Sequence, residues 1–297
     1  MILRSNRSYY RRYIAFAGNK DVPGMISPNE RAFLEFYAKS LYSGKGEIVD
    51  LGTWFGASSY ALARGLSSNR NVTEKKKRIH AYDPFYWEAS LDPHVAGTRF
   101  EGLLSPGDDY QHVFNEFLQP YSEFIVATGD ISKHGWTGKP IEFLFIDAMK
   151  NPWVTIDILK FFYPYLIPGK SLVVYQDFDH YLTPWIHLLI YRYRDYFDFV
   201  HYIPPSGSII FRLRKAIPTE MLGIDLAAIG TKEADCAFRY CLKLAVNEKR
   251  RNIMAAHVMF YHYHQLKIQA CSLFEQYTRK TDSKGSDLED VKKIIYA

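Results

Sequence analysis

Short apolar runs alternate with amphipathic stretches over the first two-thirds of the chain. Five of these runs have the length of buried strands, and they lie at 47–51, 79–83, 124–127, 141–146 and 172–175. Apolar positions at helical spacing predict helices at about 57–66, 108–117, 153–166 and 184–195. Two further runs, 199–203 and 208–213, predict a closing antiparallel pair. Strands that alternate with helices in this way predict an α/β fold with a parallel sheet covered on both faces.

The two ends of the chain depart from this pattern. Ser27-Pro28-Asn29-Glu30 predicts a helix start, because Ser at the N-cap and Glu three residues later form a capping box. After Pro218 no strand signal appears, and residues 231–280 are predicted to be helical. The predicted organisation is an N-terminal arm (1–26), an α/β domain (27–215) and an all-helical C-terminal extension (216–297).

Composition and charge narrow the class of protein. Of the 297 residues, 47% are hydrophobic and 23% are charged, which are the proportions of a globular protein. The net charge of +5 is small for a nucleic-acid-binding protein, which usually carries a basic stripe. Three cysteines without a Cys-x-x-Cys pair favour a reducing compartment. No apolar run has the length of a membrane span. The N-terminal arginines are not followed by the apolar segment of a signal peptide. We therefore expect a cytoplasmic protein with neither nucleic acid nor a membrane as its partner.

Acidic side chains stand at the ends of the predicted strands. Asp50 lies at the end of the first strand, and the next four strands are followed by Asp83, Asp130, Asp147 and Asp177. In an open parallel sheet, ligands bind at the carboxyl ends of the strands. Half-buried carboxylates cost free energy unless they are paired, so this repetition indicates a functional edge of the sheet.

The segment after the first strand, Gly52-Thr53-Trp54-Phe55-Gly56, leads directly into a helix. Glycines let a ligand approach the backbone, and a helix N-terminus offers free N–H groups. The segment lacks the Lys of a phosphate-binding loop, and Trp54 stands where a dinucleotide-binding loop needs a glycine. A nicotinamide-dependent oxidoreductase is thus disfavoured, although it stays an alternative that a nicotinamide-binding test would decide.

An ordered set of motifs resembles class I S-adenosylmethionine-dependent methyltransferases, in particular the macrocin-type and catechol-type small-molecule O-methyltransferases. The run Val49–Ser58 resembles their motif I, and His80–Phe85 resembles the second-strand motif of the macrocin-type sugar O-methyltransferases. Phe145–Lys150 resembles the Ile-Asp-Ala-Asp-Lys motif of the catechol-type enzymes, and Leu166–Gly169 fits before the fifth strand. The resemblance covers about residues 27–213. It implies a Rossmann-like, doubly wound, mostly parallel seven-strand sheet and methyl transfer to a hydroxyl of a sugar or other small-molecule acceptor.

The resemblance also implies a site for S-adenosylmethionine, formed by Asp50, Gly52, Thr53, Gly56, Ser58, Asp83 and Asp130. The glycines and Thr53 would line the methionine part of the cofactor. Asp50 would orient the loop or meet the cofactor's ammonium group. Asp83 would hold the ribose, and Asp130 or its neighbour Ile131 would border the adenine.

A metal is the second implied component. The resembled families hold a Mg²⁺ with acidic residues after the fourth and fifth strands, and the matching residues here are Asp147 and Asp177. Met149 replaces the second Asp of the catechol-type motif. The two adjacent ligand residues that those families often carry after the fifth strand are here Gln176-Asp177 or Asp177-Phe178, depending on the alignment. A metal-assisted and a metal-free route therefore both stay open.

Asp147, Lys150 and His180 are the predicted catalytic residues. Lys150 would either steady the acceptor or be an exposed residue without that role. His180, just past the fifth strand, would either serve as general base in the metal-free route or be a histidine of a surface loop. The aromatic stretch of Phe85, Tyr86 and Trp87 would either stack on adenine or a flat acceptor, or pack in the core.

Two further alternatives differ in class. A nonenzymatic scaffold that retains the methyltransferase fold is suggested by the depleted metal site and the long helical extension. A nucleic-acid methyltransferase is disfavoured by the small net charge and by the lack of an Asn-Pro-Pro-Tyr-type motif after the fourth strand. The C-terminal helices are expected either to cover the acceptor site or to pair two subunits in a homo-oligomer. His257, His262 and His264, at spacings of five and two, are predicted to be surface or interface residues.

Overall fold

The structure is a computed structural model that describes residues 12–14, 16, 22–279, 281 and 286–296. Most of the predicted N-terminal arm therefore lies outside the described residues. Within the described part of the chain, no helix has the length and apolar character that crossing a membrane requires.

The strands are β1 (Glu47–Leu51), β2 (Ile79–Tyr82), β3 (Ile125–Thr128), β4 (Ile141–Ile146), β5 (Leu172–Tyr175), β6 (Phe197–Tyr202) and β7 (Ile209–Leu213). They form one seven-stranded sheet in the order β3-β2-β1-β4-β5-β7-β6. β1 pairs in parallel with β2 and β4, and β2 with β3, whereas β7 pairs antiparallel with β5 and β6. The predicted Rossmann-like, mostly parallel seven-strand sheet is confirmed.

The register of β1 brings several acidic residues to one edge of the sheet. Leu51 lies opposite Tyr82 on β2 and opposite Ile146 on β4. These three strands therefore end at the same level. Asp83 and Asp147, the residues that follow Tyr82 and Ile146, leave the sheet at its carboxyl edge, as the alternation of strands and helices predicts.

One compact unit comprises the described residues up to Asp147 together with 165–167. Its longer helices are α1 (Pro28–Phe36), α2 (Ala57–Ser67) and α3 (Gln111–Leu118), with short helical segments at Tyr37–Leu41, Ala89–Leu91, Asp92–Val95, Gln119–Phe124 and Ile131–His134. The predicted capping box is present, since Ser27 Oγ accepts the N–H of Glu30 at 3.2 Å and Glu30 Oε2 accepts the N–H of Ser27 at 2.6 Å. α3 begins later than predicted because Asp109 bridges to Tyr86 and its carboxylate accepts the N–H of Gln111.

The second compact unit comprises 148–164 and the described residues from 168 onward. Its longer helices are α4 (Pro152–Phe162), α5 (Pro184–Arg192), α6 (Thr231–Leu244), α7 (Arg250–Tyr263), α8 (Lys267–Thr278) and α9 (Asp287–Tyr296), with short turns at Tyr163–Tyr165, Thr219–Met221 and Asn247–Lys249. The predicted helical region 231–280 is thus divided into α6, α7 and α8. The break after α7 has a local cause, because Gln265 adopts a φ of +58°, which no helix allows. A domain boundary near residue 215 stays a prediction.

His257 corrects one expectation for the C-terminal helices. It lies on α7, but only 3% of it is exposed, so it is not a surface residue. Its Nε2 lies 3.0 Å from Asp235 Oδ1 on α6, and its Nδ1 lies 2.8 Å from the Tyr277 hydroxyl on α8. The imidazole therefore joins three helices within this unit.

Candidate active site

The loop between β1 and α2 is shaped by two glycines in left-handed conformations. Gly52 has a φ of +88° and Gly56 a φ of +94°. A Cβ on Gly56 would lie 2.3 Å from the side chain of Leu118, so this position requires glycine for packing as well as for its backbone angle. The N–H groups of Gly52 and Thr53 both donate to the carbonyl of Tyr82, at 2.9 and 3.2 Å. The loop is thereby held against the end of β2.

Asp50 is buried beneath this loop. Its Oδ2 accepts hydrogen bonds from the hydroxyls of Ser58 (2.7 Å) and Ser59 (2.6 Å), which fix the start of α2 relative to β1. Its Oδ1 is buried and has no hydrogen-bond partner among the described residues. Burial raises the pKa of Asp50 to about 6, although the Ser59 and Ser58 hydroxyls oppose that shift. Such an oxygen suits a cationic or hydrogen-bond-donating ligand group.

Asp83, directly after β2, accepts three hydrogen bonds from the protein. Oδ2 accepts the N–H of Trp54 at 2.9 Å. Oδ1 accepts the N–H of Phe85 at 3.0 Å and the hydroxyl of Tyr110 at 2.5 Å. Burial raises the pKa of Asp83, and the hydrogen bonds from Tyr110, Phe85 and Trp54 oppose the shift. A carboxylate offers about four lone-pair sites, so one site on Oδ2 is left for a ligand.

Aromatic side chains surround Asp83. Trp54 has a φ of +48°, which is rare for a bulky residue, and its N–H bond to Asp83 holds that conformation. Its ring stacks on Phe55 with centroids 4.3 Å apart, and its Nε1 is buried without a partner among the described residues. Phe85 and Trp87 are buried in the same cluster, so they pack in the core. No pattern in the sequence predicts that Tyr110, 27 residues beyond Asp83, joins this site.

Asp130 has a local structural role. Its carboxylate accepts the N–H of Ser132 at 2.8 Å and caps the short helix Ile131–His134. The side chain is only partly buried. A contact with an adenine stays a prediction for this residue.

A second group of polar side chains lies in the unit that contains β5. The Lys150 ammonium forms an ion pair with Asp177 Oδ2. Asp177 is only 11% exposed, whereas Lys150 is 55% exposed and can be reached by a ligand. Gln176 Oε1 is buried without a hydrogen-bond partner among the described residues. The ion pair offers a cation and a carboxylate, and Gln176, the residue before Asp177, has a carbonyl oxygen without a partner among the described residues. Asp147 belongs to the other unit, where its N–H donates to the carbonyl of Leu51.

His180 lies on the exposed loop after β5. Its Nδ1 accepts the N–H of Leu182 at 3.3 Å. A neutral imidazole that accepts at Nδ1 carries its proton on Nε2. A catalytic role for His180 stays a prediction.

The residues at this edge do not fit a Mg²⁺ site. Within the described part of the chain, no three or more His, Cys, Asp or Glu side chains lie close enough together to hold a metal ion. The Asp177 carboxylate is already paired with the cation of Lys150, and Met149 offers no oxygen. Mg²⁺ is usually bound through one or two carboxylates together with several waters, and here the cation of Lys150 occupies the Asp177 oxygen that such an ion would need.

Comparison with known families adds a decisive observation. Residues 49–178 match the sequence model of a family described as a methyltransferase domain. Residues 49–178 therefore carry the sequence pattern of a methyltransferase domain. The matched segment begins in β1 and ends shortly after β5, and it includes all five acidic strand ends: Asp50, Asp83, Asp130, Asp147 and Asp177. The predicted resemblance to S-adenosylmethionine-dependent methyltransferases is confirmed. A comparison with curated proteins finds no match.

Solved structures of methyltransferases are similar to this domain at low identity. The O-methyltransferase NovP is 14% identical, with 69% of this chain and 89% of that chain covered and a TM-score of 0.49. The calicheamicin methyltransferase CalS11 is 17% identical, with 69% and 91% covered and a TM-score of 0.45. An O-methyltransferase from Bacillus cereus in complex with SAH is 15% identical, with 72% and 94% covered and a TM-score of 0.40. Likeness at this level says nothing about the acceptor.

Proposed function

We propose that the methyltransferase domain transfers a methyl group from S-adenosylmethionine to a hydroxyl of a sugar or another small molecule. The match of residues 49–178 to a methyltransferase domain carries this proposal. That segment holds both groups of polar side chains described above. Cytoplasmic location, lack of nucleic-acid binding and homo-oligomer formation are further predictions that the match does not address.

The residues at the carboxyl ends of β1 and β2 fit the cofactor. The unpartnered Oδ1 of Asp50 suits the ammonium group of the methionine part. Gly52 and Thr53 form the loop that would face that part, and Ser58 would act by holding Asp50 in place. The open site on Asp83 Oδ2 suits a ribose hydroxyl. When bound, S-adenosylmethionine supplies an electrophilic methyl group on a sulfonium.

Lys150, Asp177 and Gln176 would bind the acceptor. The Lys150 ammonium would donate a hydrogen bond to the acceptor oxygen and stabilise the negative charge that develops as its proton leaves. The Asp177 carboxylate would take that proton, and Gln176 Oε1 would accept a hydrogen bond from a neighbouring hydroxyl. Because the residues do not fit a Mg²⁺ site, no step of this route uses a metal.

The experiment that tests the proposal begins with binding. Isothermal titration of the purified chain with S-adenosylhomocysteine is expected to give a Kd on the order of micromolar. Asp83→Ala is expected to abolish binding, whereas Glu116→Ala should retain it, because Glu116 is an exposed residue of the same unit that pairs only with Arg99 among the described residues. Transfer of radiolabelled methyl from S-adenosylmethionine to a panel of sugars and phenols would then identify the acceptor class.

The same titration distinguishes a methyltransferase from the main alternative, a nonenzymatic scaffold that retains the fold. Absence of binding at about 1 mM ligand, with an intact fold by circular dichroism, would contradict the cofactor proposal and favour a scaffold. Binding without transfer to any hydroxyl would point to a nitrogen or carbon acceptor.

A further inference from the structure

The hydrogen bonds of Asp83 are unequally divided between its two oxygens. Oδ1 accepts both the N–H of Phe85 and the hydroxyl of Tyr110, so its two lone-pair sites are filled. Oδ2 accepts only the N–H of Trp54. A ligand diol can therefore reach one oxygen of this carboxylate and not the other.

Tyr110 is held in place by its surroundings. It is 2% exposed, and its N–H donates to the carbonyl of Phe85 at 2.9 Å. Its ring makes edge contacts with Phe55 and Trp87 at centroid distances of 5.6 and 6.0 Å. Burial and the neighbouring Asp83 raise the pKa of Tyr110, so its hydroxyl stays protonated and remains a donor. Its hydroxyl cannot leave Asp83 without disturbing a packed aromatic cluster.

We propose that Tyr110 sets how the ribose is recognised: it occupies Asp83 Oδ1, so that one ribose hydroxyl binds Asp83 through Oδ2 and the other does not. The inference rests on the proposed cofactor function. In this proposal Tyr110 is a positioning residue that determines which ribose hydroxyl forms a hydrogen bond with Asp83. Removing the bound hydroxyl should weaken binding about 10- to 100-fold, since a hydrogen bond to a charged group is lost, while removing the other should change the Kd by less than about twofold.

The test compares three ligands by isothermal titration: S-adenosylhomocysteine and its 2′-deoxy and 3′-deoxy analogues. The wild-type chain is expected to lose affinity for only one of the two analogues. In Tyr110→Phe, one of the two lone-pair sites of Oδ1 becomes free, and removal of the second ribose hydroxyl should then also weaken binding by about tenfold or more. Tyr42→Phe is the matched control, because Tyr42 is equally buried and donates to the carbonyl of Gly46 at 2.7 Å, before β1 and away from Asp83. It should retain the wild-type pattern.

Each outcome has a distinct meaning. Equal losses for both analogues in the wild-type chain would overturn the inference and leave the proposed function intact, and so would an unchanged pattern in Tyr110→Phe. Failure of the wild-type chain and Tyr110→Phe alike to bind S-adenosylhomocysteine would overturn both proposals. If Tyr110→Phe does not fold, the comparison of the two analogues on the wild-type chain still decides.

Discussion

The ammonium of Lys150 and the carboxylate of Asp177 form an ion pair at the end of β5, although 27 residues separate them in the chain. Asp177 is one of the two residues, with Asp147, that sequence resemblance assigns to a metal. The Lys150 ammonium is paired with Oδ2 of Asp177, an oxygen that such a metal would bind. A charge-paired carboxylate can still accept a proton from an acceptor hydroxyl while the lysine stabilises the resulting oxygen charge.

Lys150→Met and Asp177→Asn are each expected to lower kcat by about 100-fold or more, since each removes a group that acts on the acceptor proton or its charge. The Kd for S-adenosylhomocysteine should change little, because neither residue is among the proposed cofactor ligands. Steady-state kinetics and calorimetry check both points. Lys160→Met, an exposed lysine on α4, is the control. Full activity in Lys150→Met would remove Lys150 from the mechanism.

Chelation of divalent metals is expected to leave methyl transfer unchanged within about twofold, because the residues at this edge do not fit Mg²⁺. The measurement is the initial rate with EDTA, followed by titration of MgCl₂ into the same sample. Loss of activity with EDTA and its return with Mg²⁺ would show that the Lys150–Asp177 pair opens to admit a metal.

The sheet and its acidic edge could be predicted because both follow local patterns. Strand length, helical spacing and the residue after each strand are properties of neighbouring positions, and β1, β4 and β5 have the predicted bounds. The capping box at Ser27 and Glu30 is equally local. Patterns of this kind place Asp50, Asp83 and Asp147 at one edge without further information.

The hydrogen bonds of the same residues could not be predicted, because they depend on tertiary packing. Nothing near Asp83 in the sequence indicates that Tyr110 binds it, and nothing near Asp177 indicates Lys150. The spacing of five between His257 and His262 does not match the spacing of four that metal-binding pairs favour, and it predicts a surface or interface residue. The partner of His257, Asp235, lies on another helix and accounts for its burial.

Asp50→Asn is expected to stabilise the protein at alkaline pH. Burial raises the folded-state pKa of Asp50 from 3.8 to about 6, so the carboxyl prefers its protonated form in the folded state. Its contribution to stability is fully present below pH 3.8 and is lost as the pH rises through 6. The variant should therefore gain on the order of 1–3 kcal/mol in free energy of unfolding at pH 8 and no advantage near pH 4.

Urea unfolding of Asp50→Asn at several pH values checks this, with Asp198→Asn, an exposed residue of β6, as the control. A variant that is less stable than the wild type at pH 8 would show that the charge of Asp50 is compensated in the folded protein. The same variant should bind S-adenosylhomocysteine more weakly, since the proposed partner of the ammonium group loses its charge.

Acid is expected to destabilise the protein through buried histidines. Burial lowers the pKa of His187 to about 3, and the pKa values of His201 and His257 to about 4. These groups contribute stability that is present above the unfolded value of 6.5 and is lost as the pH falls toward the folded values. Near pH 5, unfolding takes up about three protons at these histidines and releases about one from Asp50, which is a net uptake of about two protons. The free energy of unfolding should therefore fall by about 3 kcal/mol for each unit by which the pH is lowered.

His257→Gln isolates one of these contributions. Unfolding of the wild-type chain takes up about two protons net, and the variant lacks one of the groups that take them up. The change in the free energy of unfolding between pH 6 and pH 5 should therefore be about half as large in His257→Gln as in the wild-type chain. His262→Gln, a partly exposed histidine on the same helix, should leave the dependence unchanged. Urea titrations at the two pH values measure both. An unchanged slope in His257→Gln would mean that Asp235, 3.0 Å away, keeps the imidazole protonated in the folded state and outweighs its burial.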